Sequence, residues 1–456
     1  MHADEGSVLV RRRRWGPPAV AAPAQTLAIH ASGRYLTRNG AAYWVHGDTP
    51  WSIAAQLTNA QIDTYLNDRE SRGFNAIMFN APEREFTSQT PPYNNADGVA
   101  PFTTTSATAA SFESLNNTYW NRVDYIVDGC LSRGIVCFMQ PAYLGFGGGA
   151  GVDGDQGWDY QVLADSDADL QTYGATLATR YDQGNVVWVM GGDYDGAASV
   201  TKQWNIAIGI RSVTPNALIS GHTDRNAPTG TEAHPSWSGE SNFAAVKWVN
   251  NIYGGQGSPE VSLMATAYAR SGPIPCFFIE GDYENDGNGG TGGIEYRRQV
   301  YESWLAGGCG HFFGNAPIWG FGEPVANGGA GAADALANNL DDPITLQMAY
   351  VKALVDAYDW TLLEPKTGTE VISSSLGTGT TRICPALASD GTFGLIWVPT
   401  SQTVTLVKSA FSPSNIRVRL YDPTAGTYST HTASTANTGT LSVATGGERV
   451  IVVDAA

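Results

Sequence analysis

Two acidic residues close apolar runs in this chain, and together they have the makings of a reaction centre. Asp193 follows Trp188-Val189-Met190-Gly191-Gly192, and Glu280 follows Cys276-Phe277-Phe278-Ile279. Each run reads as a buried strand, so each carboxyl stands at a strand end. Two facing carboxyls suit glycosidic cleavage: the protonated one releases the leaving oxygen, and the ionised one attacks the anomeric carbon. Where configuration is retained the two stand about 5–5.5 Å apart, and the charge of one raises the pKa of the other. A single acid at a strand end could equally cap a helix or pair with an arginine. The glycines before Asp193 are expected to clear side chains from the path of a ligand.

The elements that would position this pair can be counted. Strand-like runs occur at 43–47, 74–80, 134–140, 185–191, 217–221, 246–252, 275–280 and 310–314. Amphipathic stretches alternate with them at 58–72, 112–133, 167–182, 199–213, 258–270, 293–306 and 343–358. The first of these opens on Thr58 with Gln61 three residues on, the pattern of a capping box, and then sets Ile62, Tyr65 and Leu66 on one face. Alternating strands and helices predict an α/β fold, a (β/α)8 TIM barrel over residues 26–364. In such a barrel the site lies at the C-terminal strand ends, and strands 4 and 7 face one another across it. After Pro365 the helical period stops and short alternating strands rich in Thr, Ser and Gly take over, which predicts a C-terminal antiparallel β-sandwich over residues 365–456. Residues 1–25, with the basic run Arg11–Arg14, read as a disordered tail.

Composition excludes several classes. The 43 acidic residues against 26 basic ones give −17, which opposes nucleic acid as a partner. No apolar stretch is long enough to span a membrane, and no secretory h-region follows the arginines in the sequence as written. The five cysteines have no paired spacing and read as buried free thiols. Seven histidines contain neither HxH nor HExxH, so no metal and no cofactor is expected. Gly145–Gly151 lacks the lysine of a phosphate-binding loop and reads as a substrate loop, and the GxSxG elbow of a serine hydrolase is absent.

The motifs, taken in order, resemble one family. They are Tyr43-Trp44-Val45-His46-Gly47-Asp48-Thr49-Pro50-Trp51, Arg72-Gly73-Phe74-Asn75, Asn185 through Asp193, Phe278-Ile279-Glu280 with Tyr283-Glu284, then Arg297-Arg298, Ala306-Gly307-Gly308, Ile318-Trp319 and Tyr421-Asp422-Pro423. This series is similar to the apiosidase-like glycoside hydrolases (family 140), whose barrel precedes a β-sandwich sometimes labelled a collagen-binding domain. The resemblance covers about residues 27–455 and implies a retaining β-apiosidase acting on a carbohydrate, with Asp193 as general acid/base and Glu280 as nucleophile. Asp193 is shorter than the Glu common in related barrels, and Asp195 is its nearest rival. Candidates for the sugar pocket are Asp48, Trp51, Asn80, Gln140, His222, Tyr253, Gln256, Glu284 and Trp319. For Asp48 a structural bond closing the first loop competes with a sugar hydroxyl, and His222 is expected to orient a carboxylate or satisfy a loop. Another furanosidase or arabinosidase on the same barrel, or a non-catalytic carbohydrate binder, stays open at this point. Aglycone and oligomeric state are not readable.

Overall fold

A computed structural model describes residues 26–88, 90–145, 156–193, 197–222, 249–254, 261–287, 291–322 and 330–456. The 1–25 tail, most of the glycine-rich loop at 145–151, Asp195 and Gln256 lie outside the described residues.

The chain enters through a small antiparallel sheet that the sequence did not announce: β1 (Leu27–Ile29), β2 (Leu36–Arg38) and β3 (Ala41–Tyr43). The run expected at 43–47 is thereby divided, its first residue closing β3 and the rest opening the barrel. The barrel strands are β4 (Val45–Asp48), β5 (Ala76–Asn80), β6 (Val136–Gln140), β7 (Val186–Gly191), β8 (Ile219–His222), β9 (Asn250–Tyr253), β10 (Cys276–Glu280) and β11 (Gly310–Phe313). They pair in parallel in the order β8-β7-β6-β5-β4-β11-β10-β9. The ring closes between β8 and β9 through Val249 N to Ile219 O at 3.0 Å and through the Asn251 amide on Ser220 Oγ at 3.0 Å.

Helices cover the outside. The Asn59–Ser71 helix starts on the capping box: Gln61 N donates to Thr58 Oγ1 at 3.3 Å, and the Gln61 side chain takes the Thr58 N–H at 2.9 Å. It buries Ile62, Tyr65 and Leu66 as expected, and also Arg69. Short helices at Ile53–Gln56, Asp159–Ala164, Ala316–Gly320 and Ala330–Asn338 were not foreseen, the first three being too short to show a period.

The barrel interior is filled, not hollow. Val45, Met78, Val136, Val187, Val189 and Ile279 line it with a cluster of three rings: Phe138 lies 5.4 Å from Phe277 and 4.8 Å from Phe312. Gly47 is needed here, because a Cβ on it would stand 2.3 Å from the Phe312 ring. This packed floor confines any ligand to the C-terminal mouth.

The C-terminal strands are β12 (Leu363–Pro365), β13 (Cys384–Ala388), β14 (Gly394–Val398), β15 (Thr403–Val407), β16 (Asn415–Asp422), β17 (Thr427–Ala436), β18 (Thr440–Ala444) and β19 (Arg449–Ala455). An antiparallel sheet in the order β12-β13-β14-β19-β16-β17 faces the β15-β18 pair across an apolar layer that includes Ile396, Val404, Leu406, Val443 and Ile451. The other face of the larger sheet packs on barrel helices, with Trp397 stacked on Tyr301 at 4.6 Å. All five cysteines are buried and free.

Candidate active site

Strand alternation decides which side chains reach the mouth. On β5, Ala76 and Met78 pack into the barrel while Ile77 and Phe79 pack against helices, so Asn80 comes next on the inward face. Gln140 is its partner in register on β6 and faces the same way. On β10, Phe277 and Ile279 face inward, so unbroken alternation would turn Glu280 out. The register against β9 shifts between Phe278, opposite Ile252, and Glu280, opposite Tyr253. A bulge re-aims side chains in this way. It returns Glu280 to the mouth, where its carbonyl accepts from Gly254 N at 2.9 Å.

Asp193 arrives by a different device. Gly191 sits at φ +98°, and a Cβ there would meet the His222 carbonyl at 2.1 Å. A Cβ on Gly192 would meet Leu144 N at 2.7 Å and the Tyr143 ring at 3.0 Å. The glycines therefore let the end of β7 wedge between two neighbouring backbones; the expected clearance for a ligand is not what requires them.

The two carboxyls meet around His222. Its Nε2 stands 2.6 Å from Glu280 Oε2 and 3.6 Å from Asp193 Oδ1, and one oxygen of each acid lies within 4.8 Å of the other. Both acid side chains are mostly covered, at 12% and 11% exposure, while still open to the mouth. Burial raises the Asp193 pKa to about 6; the nearby His222 opposes this, Glu280 adds to it, and hydrogen bonds from Tyr143 and Tyr253 pull the other way. Burial alone would lower His222, but the two carboxylates outweigh it and its pKa is raised. Gln140 Nε2 lies 3.1 Å from His222 Nδ1. With the amide donating there, a neutral ring carries its proton on Nε2, which lies close to both carboxyls without a well-aligned hydrogen bond to either.

Aromatic groups hold the rest. The Tyr143 hydroxyl donates to Asp193 Oδ2 at 2.7 Å. The Tyr283 hydroxyl donates to Glu280 Oε1 at 2.9 Å and receives the Trp51 indole N–H at 2.6 Å. Trp51 and Tyr253 stack against His222 at 5.4 and 5.3 Å. Half-buried Trp319 stands beside Tyr283 and Phe86, at 5.7 and 4.9 Å between ring centres, and offers a flat apolar face at the rim.

Trp51, Asn80, Gln140, Asp193, His222, Tyr253, Glu280 and Trp319 thus gather at one mouth. Asp48 and Glu284 do not. Asp48 faces outward and is fully buried, accepting from Arg69 Nε at 2.5 Å and the Tyr65 hydroxyl at 2.6 Å. Glu284 caps the Pro343–Asp356 helix: it accepts from Ile344 N at 2.7 Å and from Thr345 N and Oγ1 at 3.0 Å. Both Glu284 oxygens are taken by these bonds, whereas Asp48 is bound through Oδ2 alone and its buried Oδ1 has no partner among the described residues. Gln256 lies outside the described residues.

Sequence reasoning missed Tyr143, Tyr283 and Glu83. Tyr143 lies in a loop whose path depends on the Gly192 contact, and no local pattern marks it. Glu83 is buried, and burial pushes its pKa up to about 7 against the hydrogen bonds it accepts from Asn80, Arg84 N and Ser52. Asp193, His222 and Glu280 each turn one ligating atom to a common point, a donor set with the means to hold a small divalent cation. A second trio, Glu113, Asp165 and Asp169, lies at the surface.

Similar proteins bear on this geometry. Among solved structures, one described as a glycoside hydrolase shares 20% identity at a TM-score of 0.75, over 94% of this chain and 97% of its own. Another, described as a glycoside hydrolase family 5 protein from Bacteroides vulgatus, shares 20% identity at a TM-score of 0.75, over 94% of each chain. At that identity they establish the fold. No curated protein sequence matches the chain. The model of the apiosidase-like catalytic domain matches residues 30–362, a span that holds both acids and the whole mouth. The chain belongs to the apiosidase-like family, and its barrel is the catalytic domain of a glycosidase.

Proposed function

We propose that the chain is a retaining glycosidase that releases a terminal β-linked pentofuranose, foremost D-apiose, from plant glycosides or pectic side chains. The observation that carries this reading is the separation of Asp193 and Glu280, with oxygens within 4.8 Å of one another. That distance is near the ~5–5.5 Å of retaining enzymes and too short for the water that inverting enzymes fit into a gap of about 6.5–9.5 Å. Membership of the apiosidase-like family supports apiose as the sugar.

The chemistry follows from the two environments. Asp193, with its pKa raised to about 6, keeps its proton under mildly acidic conditions and gives it to the glycosidic oxygen as the bond to the anomeric carbon breaks. A Glu280 oxygen attacks that carbon from the opposite face and forms a glycosyl ester. Water, losing its proton to the Asp193 carboxylate, then cleaves the ester and restores both groups. Tyr283 holds Glu280 in place by its hydrogen bond, and His222 lies against the other carboxylate oxygen.

The test is a panel of aryl furanosides and natural β-apiosides, assayed with wild type, Asp193→Ala and Glu280→Ala, with and without EDTA. Wild type should release pentose, indifferent to chelation. Glu280→Ala should lose nearly all activity. Asp193→Ala should lose about 10²–10⁴-fold on poor leaving groups and less on activated aryl ones. Binding without release would make the chain a carbohydrate binder. Loss in EDTA reversed by a divalent ion would transfer the Asp193–His222–Glu280 trio to metal chemistry.

A further inference from the structure

Glu83 is a buried carboxyl beside the mouth with no part in the double displacement. Its Oε1 accepts from Arg84 N at 2.8 Å and Glu85 N at 3.1 Å. Its Oε2 accepts from Ser52 Oγ at 3.1 Å and from Asn80 Nδ2 at 3.0 Å. The two backbone N–H groups fix Oε1 as an acceptor, and Oε2 accepts from Asn80 whether it is ionised or carries a proton given to Ser52 Oγ. An Asn80 amide facing it must therefore present its NH2 side. Asn80 is itself 4% exposed and on the inward face of β5, and its Oδ1 has no partner among the described residues. A buried carbonyl oxygen without a partner is costly unless a ligand or a water satisfies it.

We propose that Glu83 is a positioning residue that fixes the Asn80 amide with its carbonyl oxygen toward the ligand, so that this corner selects a sugar carrying a hydroxyl donor there. The inference rests on the furanosidase reading and adds a specificity determinant to it. Without the Glu83 carboxylate the amide is free to turn, and the corner offers a donor as readily as an acceptor. A site built to pair a substrate hydroxyl discriminates strongly against the analogue that lacks it.

The experiment measures kcat/KM for an aryl pentofuranoside and its mono-deoxy analogues with wild type, Glu83→Gln and Asn80→Ala, and records thermal unfolding of each. Wild type should prefer the parent over one deoxy analogue by about tenfold to a hundredfold, the worth of one buried hydrogen bond. In Asn80→Ala and in Glu83→Gln that ratio should fall to within about threefold of unity, the loss falling on the parent sugar. A residue that merely supports the fold would lower both substrates alike and leave the ratio intact; that result overturns the proposal. If Glu83→Gln does not fold, an unchanged ratio in Asn80→Ala, or no discrimination by wild type, overturns it equally. Cleavage abolished in Glu280→Ala with these ratios unmoved would leave the furanosidase reading standing and remove this inference alone. No cleavage by wild type would remove both.

Discussion

At the scale of single residues, the proposed chemistry rests on two carboxyls in unlike surroundings. Asp193 is raised to about 6 by burial and by its acidic neighbour. On the proposed role of Asp193 as the general acid, kcat/KM should fall as pH rises through about 6. Tyr143 opposes that elevation by hydrogen-bonding the ionised form. Tyr143→Phe should therefore move the alkaline limb of the pH–rate profile to higher pH, a direction opposite to that of simple damage. An unmoved limb would show that Tyr143 does not govern Asp193. The pair itself was legible in sequence because each acid ends an apolar run. Asp48 was misleading for a reason also present in the sequence: Val45 faces the barrel interior, so alternation turns His46 out, Gly47 in and Asp48 out, onto Arg69. Tyr143 was not legible, since only tertiary contact brings its loop to Asp193.

At the scale of elements, the strands and most helices follow from period and caps, as the Thr58–Gln61 box does. Departures from regularity do not. The bulge that turns Glu280 inward is invisible in an apolar run, because each residue of Cys276–Ile279 suits either face. The N-terminal strands are three residues each, too short for alternation to register. Glu284 lies beyond a strand end like a binding residue, yet serves a helix more than fifty positions later in the chain. Glu284→Ala should cost about 2 kcal/mol of stability through lost capping bonds and leave kcat/KM within a few-fold of wild type. Denaturant melts and steady-state rates check this; a collapse in rate without loss of stability would return Glu284 to the sugar pocket.

At the scale of the whole molecule, the C-terminal sheet is a continuation of the barrel's core. Trp397 and Tyr421 both lie in the seam: Trp397 is stacked on Tyr301, and the Tyr421 hydroxyl donates to Tyr350 O at 2.8 Å. Arg297 from the barrel pairs with Glu448 at 2.5 Å. Composition showed where the helical period ends but could not show which aromatic rings face the seam. Trp397→Ala should destabilise by about 3–5 kcal/mol, with barrel and sandwich unfolding in one transition. Calorimetry that resolved two independent transitions would mean that the seam is not shared core.

The account turns on Glu280 forming a bond to the sugar. Incubation with a 2-fluoro furanoside bearing a good leaving group, in which the fluorine slows both steps, should trap the intermediate for mass spectrometry. The account predicts one added fluoropentosyl group, mapped to the peptide that carries Glu280 and absent from Glu280→Ala. Turnover without an adduct and with inverted configuration of the first-formed sugar, or a label on any other residue, would contradict it.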